Sequence, residues 1–254
     1  MSRTVVVGAS SGLGRCIGVG LARRGDRVAL LARRRERIEA AAKEAGPGAI
    51  AVECDVTDEP SCRAAINAAA DALGGVDNLV YTPGISPLAR LVDTDAETWR
   101  RVFDTNVIGA ALATAAAVPH LTASAGKAVY LSSPAGNFGP PWPGLGAYGV
   151  SKAALDRLVE AWRAEHPNIG FTCLIAGECA GGEGDAQTGM SSDWDRELAM
   201  AAHPLWLSRG CMPGKLMPVE DLVDVVHMIL RTDAATSMPV VIARGAPASP
   251  AAFA

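Results

Sequence analysis

Short runs of apolar residues alternate along the chain with longer stretches whose apolar residues recur at helical spacing. The short runs predict β-strands, and the longer stretches predict helices. The predicted strands are Val5–Val7, Arg27–Ala32, Ala49–Cys54, Val76–Tyr81, Ala128–Leu131, Ile169–Ile175 and Pro239–Ile242. Because strands and helices alternate without an internal repeat or an interdomain linker, the pattern predicts one α/β domain.

One long segment, residues 176–217, breaks this alternation. It is rich in glycine, methionine and tryptophan, and it follows the carboxyl end of a predicted strand. A long insertion at such a place is commonly a lid over a substrate site. A pair of amphipathic helices that packs on the domain or on a second subunit fits the composition equally well. Both interpretations stay open.

Composition and charge narrow the class of protein. The chain has 254 residues, of which 49% are hydrophobic and 20% charged, and its net charge is −4. A mild, dispersed negative charge does not suit a nucleic-acid-binding surface. We see no signal peptide and no apolar stretch long enough to cross a membrane. We therefore expect a cytoplasmic protein with neither nucleic-acid nor membrane partners.

The six cysteines are scattered, with no CxxC pair among them. This spacing argues against a disulfide framework and against a zinc site. We expect reduced thiols and no bound metal.

The first strand leads directly into a glycine-rich turn. Glycine lets backbone amides approach a pyrophosphate, and the start of the following helix favours its negative charge. A tight connection with no ligand also selects glycine. The residues of this turn that would bind a dinucleotide are Gly8, Ser10, Ser11, Gly12, Leu13 and Gly14.

Three arginines, Arg33, Arg34 and Arg35, follow the second strand. In dinucleotide-binding folds a carboxylate at this place holds the ribose 2′-hydroxyl, whereas an arginine accepts a 2′-phosphate. No carboxylate follows this strand directly. We therefore predict NADP(H) as the cofactor rather than NAD(H), with Arg33 as the first candidate for the phosphate and Arg34 as the second.

Tyr148 and Lys152 lie four residues apart at the start of a predicted helix, so they share one face of it. A cation beside a phenol favours the phenolate and lowers a phenol pKa that is otherwise about 10. Such a pair suits the exchange of a proton near neutral pH.

Three further polar residues stand at places that favour a site. Asn106 lies inside a long helical stretch, where asparagine indicates a backbone distortion or a site. Ser132 and Ser133 end the fifth strand, where open α/β sheets bind their ligands.

The turn from Gly8 to Gly14, the strand-end Ser133 and the Tyr148-x-x-x-Lys152 spacing together resemble the short-chain dehydrogenase/reductase family. The resemblance covers essentially the whole chain. It implies a Rossmann fold, with a doubly wound parallel sheet of seven strands in a single domain of residues 1–254. It also implies a nicotinamide cofactor and assembly as a homotetramer or a homodimer.

The resemblance assigns roles to the catalytic candidates. Tyr148 would be the general acid and base, and Lys152 would lower its pKa and bind the nicotinamide ribose. Ser133 would hold the substrate oxygen, with Ser132 as the alternative. Asn106 would anchor a water of a proton relay.

The resemblance also carries a position for the adenine ring. Asp55, with Val56 beside it, matches the place that contacts the adenine.

The chain departs from the family pattern at several places. Tyr81-Thr82-Pro83-Gly84 replaces Asn-Asn-Ala-Gly after the fourth strand, and the loop of residues 134–147 is about two residues longer than usual. After the sixth strand, Ala176-Gly177 replaces Pro-Gly, and Gly181 stands where a threonine would grip the nicotinamide amide.

Large apolar side chains are frequent in the loops expected near the site, with few charges apart from Glu178, Glu183 and Asp185. This composition favours neutral, apolar substrates, including bulky ones. The residues predicted to line the substrate pocket are Phe138, Trp142, Leu145, Met190 and Trp194.

These features predict an NADP-dependent ketone reductase that transfers a hydride between the cofactor and a carbonyl or secondary alcohol. One alternative is a steroid or polycyclic-alcohol dehydrogenase that works mainly as an oxidant. The altered motifs leave a second alternative, a catalytically silent NADP(H)-binding sensor or scaffold.

Overall fold

The computed structural model describes residues 1–182, 184, 187, 191, 194–212, 214–233 and 236–246. One parallel sheet contains seven strands: β1 Arg3–Val7, β2 Arg27–Ala32, β3 Ala49–Glu53, β4 Asn78–Tyr81, β5 Lys127–Ser132, β6 Gly170–Ala176 and β9 Val240–Ala243. Their order across the sheet is β3-β2-β1-β4-β5-β6-β9. The predicted doubly wound sheet is confirmed, and each predicted strand end lies within one or two residues of the observed one.

Helices cover both faces of the sheet. They are α1 Gly12–Arg23, α2 Arg35–Ala45, α3 Glu59–Leu73, α4 Ala96–Phe103, α5 Gly109–Ser124, α6 Gly146–Glu165, α7 Arg196–Ser208 and α8 Val219–Arg231. A 3₁₀ turn, Leu91–Asp93, precedes α4, and a π-helix, Asp104–Ile108, joins α4 to α5.

The strands read as unbroken apolar runs because both faces of the sheet are buried. On β1, Val5 and Val7 pack into a core with Leu155 of α6, whereas Val6 faces a second core with Ile17 of α1 and Leu222 of α8. The sheet order reverses on the two sides of β1, where β2 and β4 are its neighbours. Such a reversal leaves a crevice at the carboxyl ends of the strands, which is where these folds bind ligands.

The helical stretch Ala96–Ser124, 29 residues with a mean hydropathy of 1.4 in its most apolar window, is long and apolar enough to cross a membrane by length and composition. The expectation that no such stretch exists is therefore wrong. The core helix of a globular protein passes the same test, and part of this helix is used in that way. Ala110, Ala113, Ala117 and Leu121 are fully buried in the core.

Residues 176–217 contain α7 and a small parallel pair of strands, β7 Cys179–Ala180 and β8 Met217–Pro218. Trp206 of α7 is buried, and its indole N–H donates to the Pro143 carbonyl oxygen at 2.8 Å. The segment thus packs against the loop that precedes α6, on the carboxyl side of the sheet.

Candidate functional site

A cavity of about 560 Å³ lies at the carboxyl ends of the strands. Its walls bring together most of the residues singled out in the sequence. The predicted residues that line it are Gly8, Ser10, Ser11, Gly12, Leu13, Gly14, Arg33, Arg34, Asp55, Val56, Ser132, Ser133, Trp142, Leu145, Tyr148, Lys152 and Trp194. Met190 lies outside the described residues.

The glycine-rich turn packs too closely for side chains at two positions. Gly8 has a φ of 86°, in the left-handed region that favours glycine. A Cβ on Gly14 would lie 2.4 Å from the Gly8 carbonyl oxygen and 2.4 Å from Thr82 Oγ1. The turn therefore brings its backbone, and the start of α1, to the wall of the cavity. This arrangement fits a pyrophosphate.

Thr82 explains how the chain tolerates one departure from the family pattern. Its hydroxyl donates to the Val7 carbonyl oxygen at 2.6 Å, and its backbone N–H donates to the same oxygen at 3.1 Å. It thus ties the end of β4 to the end of β1, directly under the turn. Thr82 therefore supports the turn from below, at a position where the family pattern has an asparagine.

The arginines after β2 divide between the cavity and the surface. Arg34 donates from Nη2 to Ser10 Oγ and Ser11 Oγ, each at 2.7 Å, so its guanidinium lies against the glycine-rich turn. Arg33 lines the cavity beside Asp55. Arg35 forms an exposed ion pair with Glu39 at 2.8 Å and does not line the cavity.

Asp55 is held as a carboxylate at the end of β3. Burial acts to raise its pKa, but hydrogen bonds from the Thr57 N–H and hydroxyl and the charge of Arg33 outweigh burial, so the pKa lies below its usual value. An ionised acceptor beside Val56 is suited to the amino group of an adenine.

Tyr148, Ser133 and Lys152 converge on the opposite side of the cavity. The side chain of Ser133 lies beside that of Tyr148, and hydrogen bonding between them acts to lower the Tyr148 pKa. Ser132, by contrast, is buried at 4% exposure beside Cys173. Lys152 is 3% exposed, and its Nζ donates to the Leu131 carbonyl oxygen at 2.7 Å. This geometry favours Ser133 over Ser132 as the partner of Tyr148.

The sequence predicts that Lys152 lowers the pKa of Tyr148. For the side chains of the protein alone this prediction is wrong, because the pKa of Tyr148 is raised. Burial raises the pKa of Tyr148 to about 12, against the hydrogen bond with Ser133, and the charges of Glu178 and Asp156 act in the same direction as burial. Lys152 Nζ lies over the ring, 5.7 Å from its centroid. Desolvation therefore dominates.

Burial also lowers the pKa of Lys152, to about 8, although Cys173 and Asp156 oppose the shift. Asp156 was missed in the sequence. It lies one helical turn beyond Lys152, accepts from Asn137 Nδ2 at 2.9 Å and from the Cys173 thiol at 2.9 Å, and is itself buried. The i, i+4 spacing from Lys152 was the signal that would have found it.

Asn106 is fully buried in the π-helix, which confirms the backbone distortion indicated by its mid-helix position. Its Oδ1 accepts from the Ile85 N–H at 2.8 Å, and its Nδ2 donates to the Ile85 carbonyl oxygen at 3.0 Å and to Ser151 Oγ at 2.8 Å. Asn106 thus supports the floor of the site from behind and does not line the cavity. Its role in a proton relay stays a prediction.

A group of indoles forms the apolar wall of the cavity. Trp206 lies between Trp142 and Trp194, with ring centroids 5.3 Å and 5.6 Å away. The same cluster includes Leu145 and the ring of Tyr148. The wall therefore reaches the predicted acid and base.

The assignment of Phe138 to the pocket is wrong. Its side chain is 40% exposed and does not line the cavity. The reason is the path of the loop. A turn closed by the Gly136 N–H on the Ser133 carbonyl oxygen, at 3.1 Å, and the bond from Asn137 to Asp156 hold the loop against α6. Phe138 follows this anchor on the outer side.

Glu178 lines the cavity after β6, and burial raises its pKa. The sequence marked it only as a charge near the pocket. Gly181, where the family has a threonine, has a φ of 130°, and a Cβ there would lie 2.8 Å from Val219 Cγ1. A threonine cannot occupy this position without a change of the backbone.

Comparisons with known proteins agree with this geometry. A family model described as short chain dehydrogenase matches residues 2–189. The 11-beta-hydroxysteroid dehydrogenase A of Sesamum indicum is 33% identical over 179 residues, which are 68% of this chain and 51% of that protein. Among the curated relatives compared, the chain spans between 13% and 62% of the relative's length.

Solved structures resemble the fold over nearly its full extent. A 3-ketoacyl-(acyl-carrier-protein) reductase from Brucella melitensis, complexed with NADH, is similar with a TM-score of 0.82 and 23% identity, covering 96% of this chain and 97% of that one. An alcohol dehydrogenase from Thermococcus sibiricus, complexed with 5-hydroxy-NADP, has a TM-score of 0.79 and 22% identity, with 96% of each chain covered. At these identities the likeness shows the fold alone.

Proposed function

Because the chain belongs to the short-chain dehydrogenase family, we propose that it is an oxidoreductase that transfers a hydride between NADP(H) and a carbonyl or secondary alcohol. The observation that carries this proposal is the convergence of Tyr148, Ser133 and Lys152 on one cavity with the glycine-rich turn and two arginines. The three indoles of Trp142, Trp194 and Trp206, which we call the tryptophan wall, favour a substrate with an apolar carbon skeleton, and this includes bulky skeletons.

The chemistry follows from the side chains around the reacting oxygen. When bound, the nicotinamide supplies or accepts the hydride. Ser133 and Tyr148 present hydroxyl groups that would both reach the substrate oxygen. In reduction, Tyr148 gives its proton to that oxygen as negative charge develops there. Lys152, buried over the tyrosine ring, places a positive charge close to the phenolate that remains.

NADP(H) is proposed on the strength of the arginines. Arg33 and Arg34 border the cavity at the end of β2, and Arg34 is held against the glycine-rich turn by its bonds to Ser10 Oγ and Ser11 Oγ. A 2′-phosphate placed there would meet two guanidinium groups that suit its geometry.

Arg33→Ala tests the cofactor preference. We expect its affinity for NADPH to fall about 10- to 100-fold, as for a lost charged hydrogen bond. NADH affinity should change less than threefold, roughly the noise of such contacts. Arg35→Ala serves as the matched control because that side chain does not line the cavity. Dissociation constants from fluorescence titration are the measurement, and equal losses for both cofactors would refute the role of Arg33.

The pH dependence of ketone reduction tests the assignment of Lys152. Its pKa of about 8 means that the ammonium is present below this pH and lost above it, whereas Tyr148, with a pKa of about 12, stays protonated throughout. We expect kcat/KM to decrease as the pH rises through about 8. An increase through this range would contradict the assignment. In Lys152→Arg the alkaline decrease should disappear, because guanidinium stays charged.

Turnover of NADPH with a panel of aryl, cyclic and polycyclic ketones, with NADH run in parallel, tests the reaction itself. The similarity to an 11-beta-hydroxysteroid dehydrogenase favours a second candidate, the oxidation of a steroid or polycyclic alcohol. The same panel presented as alcohols with NADP⁺ distinguishes the two directions.

We further propose three properties expected from the sequence: assembly as a homodimer or homotetramer, a cytoplasmic location, and a substrate lid formed by residues 176–217. Support for a homodimer or homotetramer is that only 33% of the apolar window in Ala96–Ser124 is buried within one chain. Support for the cytoplasm is that the six cysteines, all of which lie in the described residues, are not joined in disulfides. Support for a lid in residues 176–217 is that Trp194 and Trp206 of this segment line the cavity.

A further inference from the structure

Glu178 is a carboxylate built firmly into the wall of an otherwise apolar part of the cavity. The Gly177 N–H donates to the Ala243 carbonyl oxygen at 2.8 Å, and the Met217 N–H donates to the Glu178 carbonyl oxygen at 3.0 Å. The backbone on both sides of the side chain is thus tied to neighbouring strands. A side chain on such a backbone presents its charge at a fixed place.

Glu178 lines the same cavity as Tyr148 and the three indoles. Its negative charge acts on Tyr148 on one side and on Cys211 on the other, and Cys211 packs with Trp206. Glu178 therefore faces the space in which a substrate held by Tyr148 would extend toward the indoles.

No cation neutralises Glu178 within the described ranges of the chain. The ion pairs found there involve other carboxylates, and Lys152 donates to the Leu131 carbonyl oxygen instead. Burial raises the pKa of Glu178, and a hydrogen bond from its own backbone N–H opposes this shift only in part. A half-buried carboxylate with no cation beside it is costly, because burial removes water from around the charge. A positively charged group on the substrate would offset this cost.

The neighbouring indoles suit the same kind of group. The rings of Trp194 and Trp206 are fixed by N–H bonds to the carbonyl oxygens of Ser86, at 2.6 Å, and of Pro143, at 2.8 Å. Faces of tryptophan attract ammonium and quaternary ammonium groups, which is how aromatic cages recognise them. A wall of three indoles with one carboxylate beside it combines both attractions.

We propose that Glu178 and the tryptophan wall select carbonyl substrates whose apolar skeleton carries an amine or a quaternary ammonium group. This inference rests on the proposed reductase function, and it replaces the neutral substrate expected from the sequence with one that carries a positive charge on an apolar skeleton. Glu178 is then a specificity-determining residue, and Tyr148 and Ser133 keep their roles at the carbonyl oxygen.

A pair of isosteric ketones tests the proposal. One is a methyl ketone whose alkyl chain ends in a trimethylammonium group, and the other carries a tert-butyl group in its place, each with several chain lengths. We expect the protein to favour the charged ketone by about 10- to 100-fold in kcat/KM, and Glu178→Gln to abolish this preference. Glu165→Gln is the matched control, since it removes the same charge from an exposed site at the end of α6.

Reduction of the tert-butyl ketone reports on the proposed function separately. If Glu178→Gln reduces both ketones with an unchanged ratio, or if the neutral ketone is the better substrate of the unmodified protein, the specificity proposal is overturned and the reductase function stands. If neither ketone reacts, the charged ketone is titrated against tryptophan fluorescence. Binding that weakens at least tenfold in Glu178→Gln, a loss typical of a charged contact, supports the cation site without the reaction. No binding overturns the site.

Discussion

Tyr148→Phe should reduce turnover about 100- to 10,000-fold, the range expected when a positioned proton donor is removed. The change deletes only the hydroxyl that is hydrogen-bonded to Ser133, and the ring stays in its cluster with Leu145 and Trp206. We therefore expect NADPH affinity and folding to be preserved. Steady-state kinetics with the best ketone of the panel, together with NADPH titration, make the measurement.

Tyr130→Phe is the control for this experiment. Tyr130 is also buried, and its hydroxyl is paired with Thr114 Oγ1 at 2.6 Å, away from the cavity. Its loss should cost about 1 kcal/mol of stability and leave turnover intact. If Tyr148→Phe turned over as fast as the unmodified protein, Tyr148 would not be the acid, and another group would have to give the proton. NADPH binding without turnover in either protein would favour the sensor or scaffold interpretation.

Lys152→Met should cost at least about 100-fold in turnover without lowering the stability of the fold. Burial lowers the pKa of Lys152 from 10.5 to about 8. At neutral pH the folded state therefore carries an ammonium that the unfolded state accommodates more easily, a penalty on the order of 3 kcal/mol that decreases only as the pH rises above the folded-state pKa. Methionine removes this charge at similar volume.

The methionine also leaves the Leu131 carbonyl oxygen without the Lys152 hydrogen bond, which costs about 1–3 kcal/mol. We expect the relief of the charge penalty and the loss of this hydrogen bond nearly to cancel, or to leave the Lys152→Met variant slightly more stable than the unmodified protein. Chemical denaturation and turnover measure the two outcomes together, with the exposed Lys43→Met as control. A loss of stability beyond about 2 kcal/mol would show that Lys152 holds the fold together rather than serving the site.

The strands could be predicted from the sequence because a parallel sheet buries both of its faces, which leaves an uninterrupted apolar run such as Val5–Val7. The glycine-rich turn was equally visible, since the close approach of Gly14 to the Gly8 carbonyl oxygen excludes any side chain. The π-helix at Asn106 was indicated by one residue of the wrong type for a helix interior.

The rest depended on contacts between distant parts of the chain. The pKa of Tyr148 is set by how deeply its surroundings bury it, which no local spacing reveals. Phe138 is directed outward by the bond of its neighbour Asn137 to Asp156, a contact across 19 positions. Thr82 stands in for an asparagine because its hydroxyl reaches Val7, which follows only from the pairing of β1 and β4.

The three hydrogen bonds of the Asn106 side chain connect the π-helix, the loop after β4 and helix α6 through a single amide. A side-chain amide can make only a few hydrogen bonds. Those of Asn106 go to Ile85 and Ser151, which approach the site from different directions. The three segments therefore behave as one cooperative unit. A disturbance of any one of them is passed to the other two, so the site is either assembled as a whole or lost as a whole.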